Sequence, residues 1–412
     1  MRIRLRALKE TSHVKILFGH FFATVLFAAI LSIPLANVQI YPKAMVVLIL
    51  LTCLYIFSFK RVHAFLNILL LYKDLVILIA TLSACMIASM FLNRITSSYS
   101  WDGVYQVIFI HFFGLLALLF FYREGLFERG KKLILFFMIL SFGIELISGF
   151  AQIFFQLNFI KGIFGSLQDG LTGTTINRNI FGFYMAFGTV LVFFKIMKLQ
   201  KAIKMRYLVL QILFLVGLLF SYSRASWVFV FAFMLSYTAL FFKQMRQKDI
   251  LLFLSVFFLF AIAFVFSDAL GDRFSSMIEG DSSNRFEIWQ TTIQLIKQKL
   301  LLGYGVRNFD FEITGAYFPH NFILDILYSV GILGFSVSVV LLILTYKEII
   351  KTNLIYLPLF FSFFAIMQFD HDITSRRALS MLMLFAFFIF SKRVDISDAK
   401  RGKSYNNFDI KY

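Results

Sequence analysis

Residues 207–242 read YLVLQILFLVGLLFSYSRASWVFVFAFMLSYTALFF, and this stretch decides the class of fold. It holds two apolar runs, 207–222 and 226–242, on either side of a short polar turn that contains Arg224. A helix that spans a membrane uses about 20 predominantly apolar residues. The stretch therefore predicts two antiparallel membrane helices joined by a turn at one membrane face.

The composition of the whole chain points the same way. Of its 412 residues, 60% are hydrophobic and 15% are charged, and the mean hydropathy is +0.83. Soluble domains are about 45–50% apolar and about 25% charged, so a soluble enzyme, a secreted disulfide scaffold and a disordered regulator are excluded. Cys53 and Cys85 both lie inside apolar runs, which excludes a disulfide framework or a zinc site built from them.

Apolar runs of about 15–25 residues recur along the chain and predict about twelve membrane spans. They lie near residues 16–38, 44–59, 75–92, 105–122, 133–157, 180–194, 207–222, 226–242, 250–267, 321–345, 354–368 and 378–391. We therefore expect an all-α polytopic membrane protein with nine spans in residues 1–267, a long outer loop at 268–320, three spans in 321–391 and a tail at 392–412. The first span is expected to be retained, because no convincing cleavage site follows it.

The distribution of basic residues predicts the orientation. With a cytoplasmic N-terminus, most of the 40 lysines and arginines fall in cytoplasmic connections and in the tail, as the positive-inside rule requires. Both termini are then cytoplasmic, and the loop at 268–320 faces outward. The net charge of +18 is expected to act on anionic membrane lipid and not on nucleic acid.

Within the long loop, the sequence predicts one amphipathic helix. Asn284 and Glu287 have the spacing of a capping box, and Gly303 is expected to end the helix. The apolar positions fall on one face: Phe286, Trp289, Ile293, Ile296 and Leu300. We expect this helix to lie along the outer membrane–water boundary. Arg285 in its first turn opposes the helix dipole, which favours an anionic partner.

Three basic residues that are distant in sequence are expected at the same outer face. Arg224 lies in the turn described above, Arg285 begins the loop helix, and His320 precedes the tenth span. Guanidinium groups bind phosphate oxygens two at a time, and imidazole titrates near neutral pH. Together they predict a site for a lipid-linked phosphate or pyrophosphate. Each alone also has a structural explanation, as a helix cap, a solvated loop residue or a buried histidine.

Four motifs, in this order, resemble the O-antigen ligase and polymerase family. They are residues 177–182 (NRNIFG), where Arg178 replaces the proline of many members, 221–227 (SYSRASW), 284–289 (NRFEIW) followed by 303–305 (GYG), and His320-Asn321 followed after nine residues by 331–334 (GILG). The motifs cover residues 177–334, and the predicted layout of spans fits the whole chain.

The resemblance implies a GT-C-type membrane glycosyltransferase in the bacterial inner membrane. Ligases of this family transfer a polysaccharide from undecaprenyl pyrophosphate to lipid A-core at the periplasmic face, with neither a nucleotide sugar nor a metal. We therefore expect an O-antigen ligase of lipopolysaccharide biosynthesis, without a cofactor, whose partners are the lipid-linked donor, the lipid A-core acceptor and membrane lipid. The alternatives are a surface-polysaccharide polymerase and a lipid-linked-sugar flippase, although no repeat symmetry supports a transporter.

The resemblance also suggests roles for residues. Arg224 and Arg285 would bind the diphosphate and stabilise the charge on the leaving group. His320 would be the general base, or instead a hydrogen-bond donor to phosphate. Further substrate-binding positions are Asn321, Ser223, Tyr222, Asn177, Arg178, Asn179, Arg376 and Arg377.

Carboxylates are sparse and suggest no metal site. The loop has no tight carboxylate cluster, which divalent cations usually need. Asp370-His371-Asp372 is interpreted as a polar turn between spans, and the alternative is that it lines the acceptor side. Glu145 and Asp325 fall inside predicted spans, where ionisable residues mark function by default. For Glu145 we favour a structural hydrogen-bonding role over a proton-coupled one, and Asp325 lies one turn into the tenth span, near His320.

Overall fold

The computed structural model describes most of the chain. The described residues are 2–34, 40–125, 130–155, 170–175, 177–197, 205–266, 275, 285–314, 316, 318–369 and 376–399. Of residues 2–13, 248, 263, 264, 266, 376–378 and 395–399, only the backbone is described. Within these ranges the regular structure is helical throughout.

Fourteen helices longer than one turn are described. They are α1 (Arg2–Ser32), α2 (Ile40–Ser58), α3 (Val62–Leu71), α4 (Lys73–Leu92), α5 (Ser98–Arg123), α6 (Gly130–Phe155), α7 (Arg178–Met197), α8 (Met205–Phe220), α9 (Arg224–Phe241), α10 (Gln247–Phe266), α11 (Arg285–Gln298), α12 (Phe322–Thr352), α13 (Leu357–Met367) and α14 (Arg376–Ala399).

Each predicted span overlaps one of these helices. In the described part of the chain, eight helices are long and apolar enough to cross a membrane, and shorter apolar helices such as α3 and α8 accompany them. Large apolar side chains such as Phe57, Phe154 and Leu235 are more than two-thirds exposed, as expected of a surface that faces lipid. The all-α polytopic membrane fold is therefore confirmed, and the number of twelve spans stays a prediction.

Aromatic contacts fix how the central helices run. The Phe183 ring of α7 lies 5.7 Å from Phe229 of α9, and Phe229 lies 5.5 Å from Phe363 of α13. Further along α9, the Ser236 hydroxyl donates to the carbonyl of Pro358 at the start of α13 (3.5 Å). Helices α9 and α13 are therefore antiparallel. The first residues of α7 and α9 and the last residues of α13 lie at one end of the bundle, called here the Arg224 end.

Two departures from regular α-helix were not predicted. Residues Gln106–Phe112 of α5 form a π-helix, and α12 is broken at Gly331, where φ is 65° and ψ is −167°. The segment between Lys60 and Lys73, which lies between two predicted spans, contains α3. Short apolar helices and local breaks carry weaker sequence patterns than a long span.

Candidate functional site

The turn before α9 is shaped by its serines. Tyr222 has a left-handed backbone with φ of 51°. The Ser223 hydroxyl is fully buried, accepts a hydrogen bond from the backbone N–H of Ser226 and lies 2.8 Å from the Ser226 hydroxyl. Ser223 is thus the N-cap of α9. This cap makes Arg224 the first residue of the helix, at the Arg224 end of the bundle.

The segment before α7 lies directly against this turn. The Asn177 side chain accepts from the backbone N–H groups of Asn179 (2.8 Å) and Ile180 (3.4 Å), which caps α7. The carbonyl of Asn179 in turn accepts from the Ser226 hydroxyl at 3.3 Å. Two motifs that are more than 40 residues apart in the sequence therefore meet, and Arg178 begins α7 beside the start of α9.

Two polar residues of α6 hold the chain that leads into α7. The carboxylate of Glu145, which is 1% exposed, accepts from the backbone N–H (2.7 Å) and the hydroxyl (2.6 Å) of Thr174. The Gln152 amide oxygen accepts from the backbone N–H groups of Thr172 (3.1 Å) and Gly173 (2.9 Å). These bonds agree with the structural role predicted for Glu145.

The loop helix α11 docks beside His320. The Trp289 indole N–H donates to the carbonyl of Pro319 at 2.8 Å, and Arg285 lies one turn before Trp289 on the same face. His320 follows Pro319 with a left-handed φ of 53°, and its ring lies 4.2 Å from that of Phe318. The predicted cap, Asn284, lies outside the described residues.

The predicted apolar face of α11 is divided in the structure. Ile288, Thr292 and Ile296 are buried, and α11 packs against α12. Phe286 and Ile293 are 62% and 44% exposed. The sequence placed Phe286, Ile293 and Ile296 on one face, and the structure buries only Ile296 of these three. A helix between a protein core and a lipid boundary needs apolar side chains toward both.

The motif glycines join the loop to the break in α12. Residues 299–305, called here the strap, run past this break. Four backbone hydrogen bonds connect them: Tyr304 N to Tyr328 O (2.7 Å), Gly305 N to Ser329 O (3.0 Å), Ile332 N to Leu300 O (2.8 Å) and Leu333 N to Leu301 O (3.4 Å). The strap therefore satisfies backbone groups that the break removes from the helical ladder.

Gly303 and Gly331 are needed at this junction. Both have positive φ, 66° and 65°, and a Cβ on Gly303 would overlap the carbonyl of Tyr328. A Cβ on Gly331 would overlap the backbone of Leu301. The prediction that Gly303 ends α11 was wrong: the helix ends at Gln298, and the glycine permits close approach of two backbones.

Asn321 fixes the start of α12. Its side-chain oxygen accepts from the backbone N–H of Leu324 (3.0 Å), and its amide donates to the carbonyl of Gln368 (3.5 Å). Gln368 directly follows α13, so it lies at the Arg224 end. The Asp325 carboxylate, 6% exposed, accepts from the Ser329 hydroxyl at 3.3 Å.

These contacts bring the three predicted basic positions to one end of the bundle. Arg224 begins α9. Asn321, the residue after His320, donates a hydrogen bond at the end of α13. Trp289 of α11 donates one to Pro319, the residue before His320. Arg376 and Arg377 begin α14, and only their backbone is described. Asp370, His371 and Asp372 lie outside the described residues.

An ion pair that the sequence did not predict holds the loop after the strap. The Arg307 guanidinium lies 2.9 Å from the Asp102 carboxylate of α5 and 4.9 Å from the Tyr99 ring. Nearby, the Tyr304 and Tyr328 rings stack at 4.7 Å, and burial raises the pKa of the Tyr304 phenol above its ordinary value. The position of Arg307 just after the GYG motif is the one signal that could have identified it.

Among the described residues, no group of three or more histidine, cysteine, aspartate or glutamate side chains is placed to hold a metal ion. The chemistry that the described site offers is therefore that of cationic guanidinium groups, an imidazole and backbone donors.

The fold is that of a polytopic membrane protein, and basic residues from distant parts of the chain lie at one end of its bundle. Residues 208–339 match the family model described as O-antigen ligase. No curated protein matches the chain. The predicted resemblance is confirmed over this region, which contains the SYSRASW turn, α11, the strap and the His320 motif, whereas residues 177–182 lie outside it. The region is O-antigen ligase-like, and a function of the ligase or polymerase type is supported.

Proposed function

We propose that the protein is an O-antigen ligase that transfers a glycan from undecaprenyl pyrophosphate to lipid A-core. The match over residues 208–339 supports this most, because it contains Arg224, Arg285 and His320. The proposal places the chain in the bacterial inner membrane, with cytoplasmic termini and with the Arg224 end facing the periplasm, where both lipid substrates meet.

The proposed reaction is one displacement at the anomeric carbon of the donor sugar. The bond from this carbon to the diphosphate oxygen breaks, and the electron pair leaves with undecaprenyl pyrophosphate. The acceptor oxygen bonds to the same carbon, and its proton passes to His320 as general base. Arg224 and Arg285 bind the diphosphate and stabilise the charge that develops on it. The reaction needs no metal ion and no cofactor.

The remaining motif residues divide into two proposed tasks. Asn177, Ser223 and Asn321 cap α7, α9 and α12, so they position the binding residues that follow them. Tyr222, Arg178 and Asn179 flank Arg224 and would contact the donor. Arg376 and Arg377 begin α14 and would bind anionic groups of the acceptor core.

The test is transfer by the purified protein in nanodiscs, with undecaprenyl-pyrophosphate-linked glycan, lipid A-core and EDTA, and without nucleotide sugar. We expect Arg224→Ala and His320→Ala to lower transfer at least about 100-fold, as expected when a group that stabilises the transition state is removed. Arg206→Ala is the matched control, because Arg206 is exposed at the start of α8, away from the Arg224 end.

The products distinguish the candidate functions. One glycan joined to each core indicates a ligase, and a ladder of lengthening chains indicates a polymerase, which the same family match also supports. Full glycan transfer by the Arg224→Ala and His320→Ala variants would contradict the assignment of these residues to the transfer site. Movement of the donor between leaflets without glycan transfer would indicate that the protein is a flippase and not a transferase.

A further inference from the structure

A second cationic feature lies at the other end of the bundle. Four lysines from three helices line one cavity: Lys131 and Lys132 of α6, Lys195 of α7 and Lys392 of α14. With its mouth included, the cavity holds about 1020 Å³ of open space. Lys195 is near the end of α7, and Arg178 is at its start, so this lysine cavity is separated from the Arg224 end by the length of a span.

The inner wall of the lysine cavity is apolar. Met138, Leu191 and Phe385 line it, and so does Phe187, whose ring lies 5.2 Å from Phe363 in the centre of the bundle. An apolar cavity of this kind gives water few hydrogen-bond partners. The space therefore suits a ligand with an anionic group at the mouth and a hydrocarbon chain inside.

The four lysines bring positive charge to the mouth of the cavity. No aspartate or glutamate is among the described residues that line the cavity. Basic residues at helix ends commonly attract anionic lipid, but here Lys131, Lys195 and Lys392 are half-buried around one space.

We propose that the lysine cavity binds an anionic glycerophospholipid of the surrounding bilayer. The lipid phosphate lies among the four lysines, and one acyl chain extends along Leu191 and Phe385. Basic pockets between membrane helices bind such head groups in this way, and lysine stems add apolar contact to the chain. The site is independent of the transfer reaction and lies at the opposite end of the bundle.

The head-group part is tested by native mass spectrometry of the delipidated protein with phosphatidylglycerol or with phosphatidylcholine of the same chains. We expect phosphatidylglycerol to bind at least about tenfold more tightly, and Lys131→Gln/Lys132→Gln/Lys195→Gln/Lys392→Gln to remove this preference. The matched control replaces an equal number of exposed lysines at the same end by glutamine: Lys60, Lys73, Lys243 and Lys347. Equal loss in both variants would overturn the proposal, because it would indicate general surface attraction.

The chain part is tested with a lipid fragment and a filled cavity. Glycerol 3-phosphate carries the phosphate without a chain, and we expect it to displace phosphatidylglycerol poorly, even at 100-fold excess. Leu135→Trp keeps every lysine but fills space in the lining, so it should weaken lipid binding at least about tenfold. Leu135→Met, which conserves volume, is its control, and thermal unfolding verifies that both variants fold. If Leu135→Trp does not fold, Leu135→Phe replaces it. Strong displacement by glycerol 3-phosphate, or unchanged binding in the filled variant, would refute an acyl site.

Discussion

Arg307 shows how one residue connects the outer loop to the bundle. Its side chain is 9% exposed, pairs with Asp102 and lies over the Tyr99 ring. Asp102 also accepts from the Gln106 amide at 3.2 Å, at the start of the π-helix. The loop that follows the strap is therefore fastened to α5 by a charge pair with little water around its cationic partner. Removing one partner of such a pair costs more than breaking an exposed pair, because the remaining charge is partly shielded from water.

Breaking this pair should loosen the loop. We expect Arg307→Ala to lower the unfolding temperature by several degrees, because it leaves the Asp102 carboxylate without its closest cation. Arg307→Lys should restore only part of the loss, since an ammonium group lacks the planar contact with Tyr99. Thermal unfolding of Arg307→Ala, Asp102→Ala and the double variant gives a coupling of about 1 kcal/mol or more. Strict additivity would show that the two side chains do not interact.

Single residues were predictable only where a local pattern marks them. Arg224, Arg285 and His320 stand beside helix ends that the sequence identifies, so their common face could be predicted. Asp102 and Arg307 are 205 residues apart, and nothing around Asp102 indicates a partner. The Ser223 and Asn321 side chains were assigned to substrate, whereas the structure shows both capping helices.

At the scale of elements, the strap and the broken helix α12 form one unit. The nine residues between Asn321 and Gly331 are the first segment of α12, which begins at a cap and ends at the break. The strap then bonds to that break and continues back into α11. The spacing of the His320 motif is therefore the length of helix that separates His320 from the strap. Apolar runs predict helices well, but a junction between two backbones leaves only glycines as its signature.

Gly331→Ala tests whether this junction supports the site. The positive φ alone costs about 1–3 kcal/mol for alanine, and overlap with the Leu301 backbone adds to it. We expect a clearly lower unfolding temperature and faster hydrogen exchange at the Tyr304 and Gly305 amides. Gly143→Ala is the control, because a Cβ there meets nothing within 4 Å, and alanine favours a helix. Equal stability of the two variants would contradict the requirement for glycine at this junction.

At the scale of the whole molecule, charge and contacts separate two ends. The Arg224 end gathers the starts of α7, α9 and α12 with α11, and the other end carries the lysine cavity and exposed lysines such as Lys243. The sequence could predict this division because every apolar span reverses direction. It could not predict which helices are neighbours, because lipid-facing and buried faces of these spans are similarly apolar.

The proposed orientation predicts opposite labelling of the two ends in intact cells. In a variant with Cys53→Ala and Cys85→Ala, a single cysteine at exposed Glu312 should react with a membrane-impermeant maleimide added to cells whose outer membrane has been opened. A single cysteine at exposed Lys243 should react only after the inner membrane is also permeabilised, since in the proposed orientation the basic end faces the cytoplasm. Labelling of Lys243→Cys from outside, with Glu312→Cys protected, would mean that the protein has the opposite orientation. The proposed transfer site would then face away from its substrates. Labelling of both positions from outside would mean that they lie on the same side of the membrane, with an even number of crossings between them. The predicted layout of spans would then be wrong.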